Sequence, residues 1–185
     1  MKNSFKRGPW FFWGLPVIFV VFVLDQVSKW WIVEHVFRPE RIPAARPFFD
    51  WLFQKGDVIS AAPVHVYDWL NLSMVWNYGV SFGMLGGQGP SVPVFLTIFA
   101  CCMVVVLLVW LYVVKSGLTA VGLSLAVAGA VGNNLFDRVR FGAVIDFVDC
   151  HIGDYHWPSF NVADVAIVVG MGLIILQIAL SPKKV

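Results

Sequence analysis

The chain has 185 residues, of which 59% are hydrophobic and 13% charged, whereas an ordinary soluble domain carries about 45–50% and about 25%. That composition excludes a soluble domain and leaves a membrane protein. A formal net charge of +2 with no basic stripe argues equally against a nucleic-acid partner.

Lys2, Lys6 and Arg7 precede a first apolar run over 10–32. No small-x-small site follows, and the run is too long for the core of a signal peptide, so an uncleaved membrane helix is expected. Asp25 and Lys29 lie four residues apart near its far end. They share a helix face and can pair. The next segment, 33–91, reads as an extramembrane loop, and its Pro- and charge-rich part, 38–66, carries no motif. Within it Leu70, Leu72 and Met74 alternate with Asn71 and Ser73, the period of a half-buried strand. This strand runs into Val75-Trp76-Asn77-Tyr78-Gly79-Val80-Ser81-Phe82-Gly83-Met84. With Trp69, Trp76, Tyr78 and Phe82 suited to a membrane surface, a small sheet between the first two helices is expected there, with its turn at Asn77 and Gly79.

Two further spans follow at 92–114 and 118–136. Cys101 and Cys102 fall inside the second, where small polarizable side chains are ordinary packing. Asn134 and Asp137 stand three residues apart as the third helix ends, and Asn161 and Asp164 repeat that spacing as the fourth, 161–180, begins. Each pair shares a face. Between them a loop over 137–160 holds Asp146, flanked by Val144, Ile145, Phe147 and Val148. Such neighbours suit a buried carboxyl better than a solvated one. Capping alone also explains an acid at a helix start, so Asp164 has two readings. His151 and His156 are poorly spaced for a metal, and neither CxxC nor HExxH occurs; no metal or cofactor is expected.

The expected fold is a membrane all-α core, one domain over 1–185, with four transmembrane helices and the small sheet between helices 1 and 2. Lys2, Lys6, Arg7, Lys115, Lys183 and Lys184 fall on one side if both termini are cytoplasmic. Every Asp and Glu then lies in the membrane or beyond it. A carboxylate at a helix centre costs about 2.5–3.5 kcal/mol on insertion scales and marks function by default. Two carboxyls that share a site cannot both ionise cheaply, so one keeps a proton and stands as general acid beside a general base. A proton or ion relay would instead spread its carboxyls along a path across the bilayer. A scaffold whose polar motifs only cap helices is the third reading.

Four motifs now carry a resemblance: Asp25-Gln26-Val27-Ser28-Lys29; Asn77-Tyr78-Gly79-Val80-Ser81-Phe82; Asn134-Leu135-Phe136-Asp137-Arg138 with Gly142 and Val144-Ile145-Asp146-Phe147; and Phe160-Asn161-Val162-Ala163-Asp164. In this order they resemble the lipoprotein signal peptidase, or signal peptidase II, family. The resemblance implies an aspartyl endopeptidase of the bacterial inner membrane that cuts prolipoproteins before the diacylglyceryl-modified cysteine of the lipobox. It implies four transmembrane helices, a periplasmic β-cradle, and a short surface helix between the first two spans. Asp146 and Asp164 take the catalytic positions, near the periplasmic face. Asp25, Lys29, Asn77, Gly79, Asn134, Asp137, Arg138 and Asn161 take supporting or substrate-binding ones. Implied partners are the diacylglyceryl-prolipoprotein, membrane lipids and globomycin-type inhibitors, with the protein a monomer and no cofactor. Two departures stand. The family writes Gly-Asn-x-x-Asp-Arg, whereas Gly132 is followed by both Asn133 and Asn134, so either the glycine is replaced or one residue is inserted. Counting back from Asp137 favours Asn134 and leaves Asn133 as the rival. Val80 and Ser81 stand where two alanines are common.

Overall fold

A computed structural model describes residues 6–38, 44–54, 59–79 and 91–181. The motif residues 80–84 lie outside them. Four helices are long and apolar enough to cross a membrane: Phe11–Val36, Val94–Val113, Gly117–Phe141 and Val162–Leu180. In chain order the elements are α1 (Phe11–Trp31), which widens into a π turn (Ile32–Val36), a short α2 (Phe48–Phe53), β1 (Val64–Tyr67), β2 (Leu70–Asn77) and α3 (Ser91–Val113). Then come α4 (Gly117–Ala130), a second π turn (Val131–Asp137), α5 (Arg138–Phe141), β3 (Val144–Ile152), β4 (Tyr155–His156) and α6 (Val162–Leu180). The first and third spans thus run beyond the expected ends at 32 and 136.

The helix α4 is central and buried along most of its length, while α1, α3 and α6 turn Phe19, Ile98, Val105, Val168 and Ile175 outward. Apolar side chains facing out are what lipid requires. Against α6 the packing is backbone to backbone: a Cβ on Gly122 would stand 2.6 Å from Gly170 O. Small residues let membrane helices approach this closely.

The sheet departs from expectation in its origin. Its order is β1-β2-β3-β4, antiparallel throughout, so half of it comes from the connection between the third and fourth spans. The reason is β3, whose first four residues are buried in succession. Ile145 and Phe147 enter an apolar core with Val33, Phe37, Trp51 and Phe141. Alternation then sends Val144 and Asp146 to the opposite face. Pairing of Val75 with Asp146 and Asn77 with Val144 lays the end of β2 across that face. The short surface helix α2 buries Trp51 and Leu52 and exposes Phe49 and Phe53. Its approach is held by Arg46, whose Nε donates to Glu34 Oε1 at 2.7 Å and whose carbonyl accepts from Trp30 Nε1 at 2.8 Å.

Candidate active site

Helix α6 begins with a capping box: Asn161 Oδ1 accepts from Asp164 N at 3.0 Å and Asp164 Oδ2 accepts from Asn161 N at 3.1 Å. Capping occupies one oxygen of Asp164. The other, Oδ1, accepts from Asn133 Nδ2 at 2.9 Å. Because Asn161 Oδ1 is engaged by the helix, its amide N–H groups point the other way. The two N–H bonds of Nδ2 are shared among Asp146 Oδ1 at 2.7 Å, Asn133 Oδ1 at 3.0 Å and Ile145 O at 3.1 Å. Asp146 Oδ2 accepts from Asn77 Nδ2 at 3.1 Å, and Asn77 is oriented by the Gly79 N–H on its Oδ1, also at 3.1 Å. Each oxygen of Asp146 and Asp164 therefore holds an N–H, and three of the four come from asparagine side chains.

Asp146 and Asp164 face one cavity of about 160 Å³, lined also by Asn77, Leu96, Asn133, Asn134, Arg138, Val144 and Ile167. Asp146 is 3% exposed. Burial, and then the charge of Asp164, push its carboxyl up to about 7, against the smaller opposing pull of Asn77, Lys29 and Asn161. That is the condition for one proton shared by two carboxyls near neutral pH.

Behind the cavity lies a second polar layer with no exposure at all: Asp25, Gln26, Lys29 and Asp137. The ammonium of Lys29 lies 2.8 Å from Asp25 Oδ2 and 2.7 Å from Asp137 Oδ2. The expected Asp25–Lys29 pair is present, but it is one half of a triad that ties α1 to the end of α4. Asp25 Oδ1 accepts from Ala163 N at 3.1 Å and so supports the start of α6. Asp137 also accepts from Gln26 Nε2 at 3.1 Å and Ile145 N at 3.3 Å. Its ion pair is with Lys29 and not with the adjacent Arg138. Arg138 Nε instead donates to Asn134 Oδ1 at 3.1 Å, and its Nη atoms donate to Asn77 O and Gly79 O. Gln26 was legible only as a letter inside the first motif; nothing in its type signals a buried bridge.

Of the two asparagines, Asn133, the rival to Asn134, is the one that touches Asp164; both line the cavity, and Asn134 meets Arg138. The physical reason is the π turn over Val131–Asp137. A single π turn absorbs one extra residue in a helix, so counting back from Asp137 at α-helical spacing selects the wrong face. Gly132 supports insertion over replacement, since a Cβ there would stand 2.6 Å from Asp25 Oδ2.

Other acids stay apart. Asp149 is buried beside Ser73 and His156, at 3.1 and 2.7 Å. Burial raises its pKa, but His156 and Ser73 outweigh that and hold it below the usual range. Asp154 is exposed. Neither lines the cavity. Among the described residues the carboxyls of the spans gather at one end of the bundle, and α3 and α4 carry none, which is not the layout of a transmembrane relay.

The sequence profile described as Signal peptidase (SPase) II matches residues 17–180. The lipoprotein signal peptidase of Desulforapulum autotrophicum is 35% identical over 162 residues, covering 86% of each chain. That of Anaplasma phagocytophilum is 36% identical over 172 residues, covering 92% of each. Among solved structures, a bacterial membrane enzyme determined by the in meso method at 2.3 Å superposes with a TM-score of 0.67 at 25% identity, covering 99% of both chains.

Proposed function

Because this chain belongs to the signal peptidase II family, we propose that it is an aspartyl endopeptidase that removes signal peptides from diacylglyceryl-modified prolipoproteins, cutting before the lipidated cysteine. The observation that carries the reading is the pair Asp146 and Asp164, drawn from different elements onto one cavity at the end of a membrane-spanning bundle. Asp146, whose carboxyl keeps its proton up to about pH 7, is the general acid, and Asp164 the general base. Asp164 takes a proton from a water held between them. The hydroxide forms the new C–O bond at the scissile carbonyl while Asp146 protonates the carbonyl oxygen. On collapse the C–N bond breaks, the oxygen returns its proton to Asp146, and Asp164 delivers its own to the cysteine nitrogen. The dyad ends as it began.

A lipidated substrate suits the surroundings. On the outer side of α3 an apolar groove of about 480 Å³, lined by Tyr78, Val94, Ile98, Val139 and Gly142, meets the cavity at Arg138. Acyl chains fit such a lane, with a polar head near the guanidinium. Purified protein is expected to convert a diacylated prolipoprotein, but not its unlipidated form, with inhibition by globomycin and no effect of EDTA. Equal turnover of the unlipidated form would contradict the assignment of substrate.

We place both termini on the cytoplasmic side of a bacterial inner membrane and the cavity near the periplasmic face, from the Lys and Arg distribution. In a background lacking Cys101, Cys102 and Cys150, a cysteine at Asp154 is expected to label from the periplasm and one at Lys115 to resist it. The reverse pattern would invert the topology.

A further inference from the structure

Lys29 does not line the cavity, yet its ammonium is one amide away from the carboxyl pair. It donates to Asp25 Oδ2, Asp137 Oδ2 and Asn133 Oδ1, the last at 2.7 Å. These use all three N–H bonds of an ammonium. Asn133 Oδ1 accepts a second donor, Asn161 Nδ2 at 3.0 Å. An amide whose oxygen holds two donors cannot turn over without setting its own N–H groups against both. Its Nδ2 is thereby committed to Asp164 Oδ1.

We infer that Lys29 is a positioning residue: through Asn133 it aims the Asp164 carboxyl at the attacking water. This rests on reading the pair as a peptidase dyad. The ionic groups facing the pair are Asp25 and Lys29 from α1, and Asp137 and Arg138 from the end of the α4 span. Of the two cations, Arg138 lies in the cavity wall and is held by carbonyls, and Lys29 lies behind it. Only Lys29 reaches Asp164 through a side chain that itself bonds to the carboxylate.

The test is a double-mutant cycle on kcat with pH profiles, using a lipidated peptide. Asn133→Ala leaves the ionic triad intact and is expected to lower kcat about tenfold to a hundredfold with KM within about twofold, the loss associated with a misplaced reacting group. Lys29→Met should give a loss of the same size and move the alkaline limb, set near pH 7 by Asp146 in the wild type, to higher pH, because a positive charge that opposes protonation has gone. The double variant should be little worse than either single one, since the two residues act in series. Should Lys29→Met fail to fold, Lys29→Met with Asp25→Asn keeps the net charge of the triad and leaves an oxygen for Ala163 N. It is then compared with Asp25→Asn alone, and the tenfold or greater loss is expected again. Full kcat in Asn133→Ala, or additive losses with an unmoved alkaline limb, would overturn the inference. A wild type that does not cleave would refute the peptidase reading instead.

Discussion

Asp146→Asn and Asp164→Asn are each expected to abolish cleavage and to leave an inserted, folded protein. Asn matches Asp in shape but neither takes nor gives a proton, and acid–base help is worth about 10²–10⁴ in rate for each group. The two act on one water, so the double variant should be little worse than either single one. The fold responds differently at the two positions. At Asp146 the new amide meets Asn77 Nδ2 or Asn161 Nδ2, an unfavourable contact offset by the loss of a buried charge. For that carboxyl the native pKa, about 7, lies above the ordinary 3.8. Its contribution to stability is therefore full below pH 3.8 and is lost as pH rises through 7. Removing the charge at neutral pH thus relieves the fold, and the unfolding midpoint should stay within about 4 °C, the shift that corresponds to about 1 kcal/mol for a chain of this length. At Asp164 the amide faces Asn133 Nδ2 while the capping oxygen remains, so a modest fall is expected. The cleaner control is Asp154→Asn, on an exposed turn. Asp149 is too well buried against Ser73 and His156 to serve. Near wild-type turnover in Asp146→Asn would remove it from the pair.

Asp137→Ala is the variant expected to damage the fold most. It leaves Lys29 with one carboxylate, and Gln26 Nε2 and Ile145 N each lose an acceptor, all at full burial. Breaking one side of a buried ion pair costs about 3–5 kcal/mol, enough to deplete the folded protein in detergent. Thermal unfolding followed by tryptophan fluorescence would show it. Unchanged stability would contradict the structural weight given to the buried triad.

Much of this was legible in the residues because the bilayer makes polarity expensive. Four apolar spans, the alternating residues 70–74, and acids at helix ends each stand out against an apolar background. The Asp25–Lys29 pair follows from helical spacing alone, and the capping reading of Asp164 from its place at a helix start. What stayed hidden depended on tertiary partners. The sheet takes half its strands from a connection whose apolar run, Val144 to Val148, suggested burial without saying against what. The cation that meets Asp137, the buried ammonium of Lys29, comes from another helix. Asn133 stood second to Asn134 because spacing arguments assume an α-helix, and one π turn moves the face by a residue. The glycine at 132 was the available signal: only a position without a side chain admits Asp25 so closely, and the residue after it is the one that meets the dyad.

The most direct measurement is mass spectrometry of a synthetic diacylglyceryl lipobox peptide after incubation with the purified wild type and the two asparagine variants. The wild type should release one pair of products, divided immediately before the lipidated cysteine, and Asp146→Asn and Asp164→Asn should return the peptide intact. Cleavage at any other bond, or product from either variant at the wild-type rate, would contradict the account.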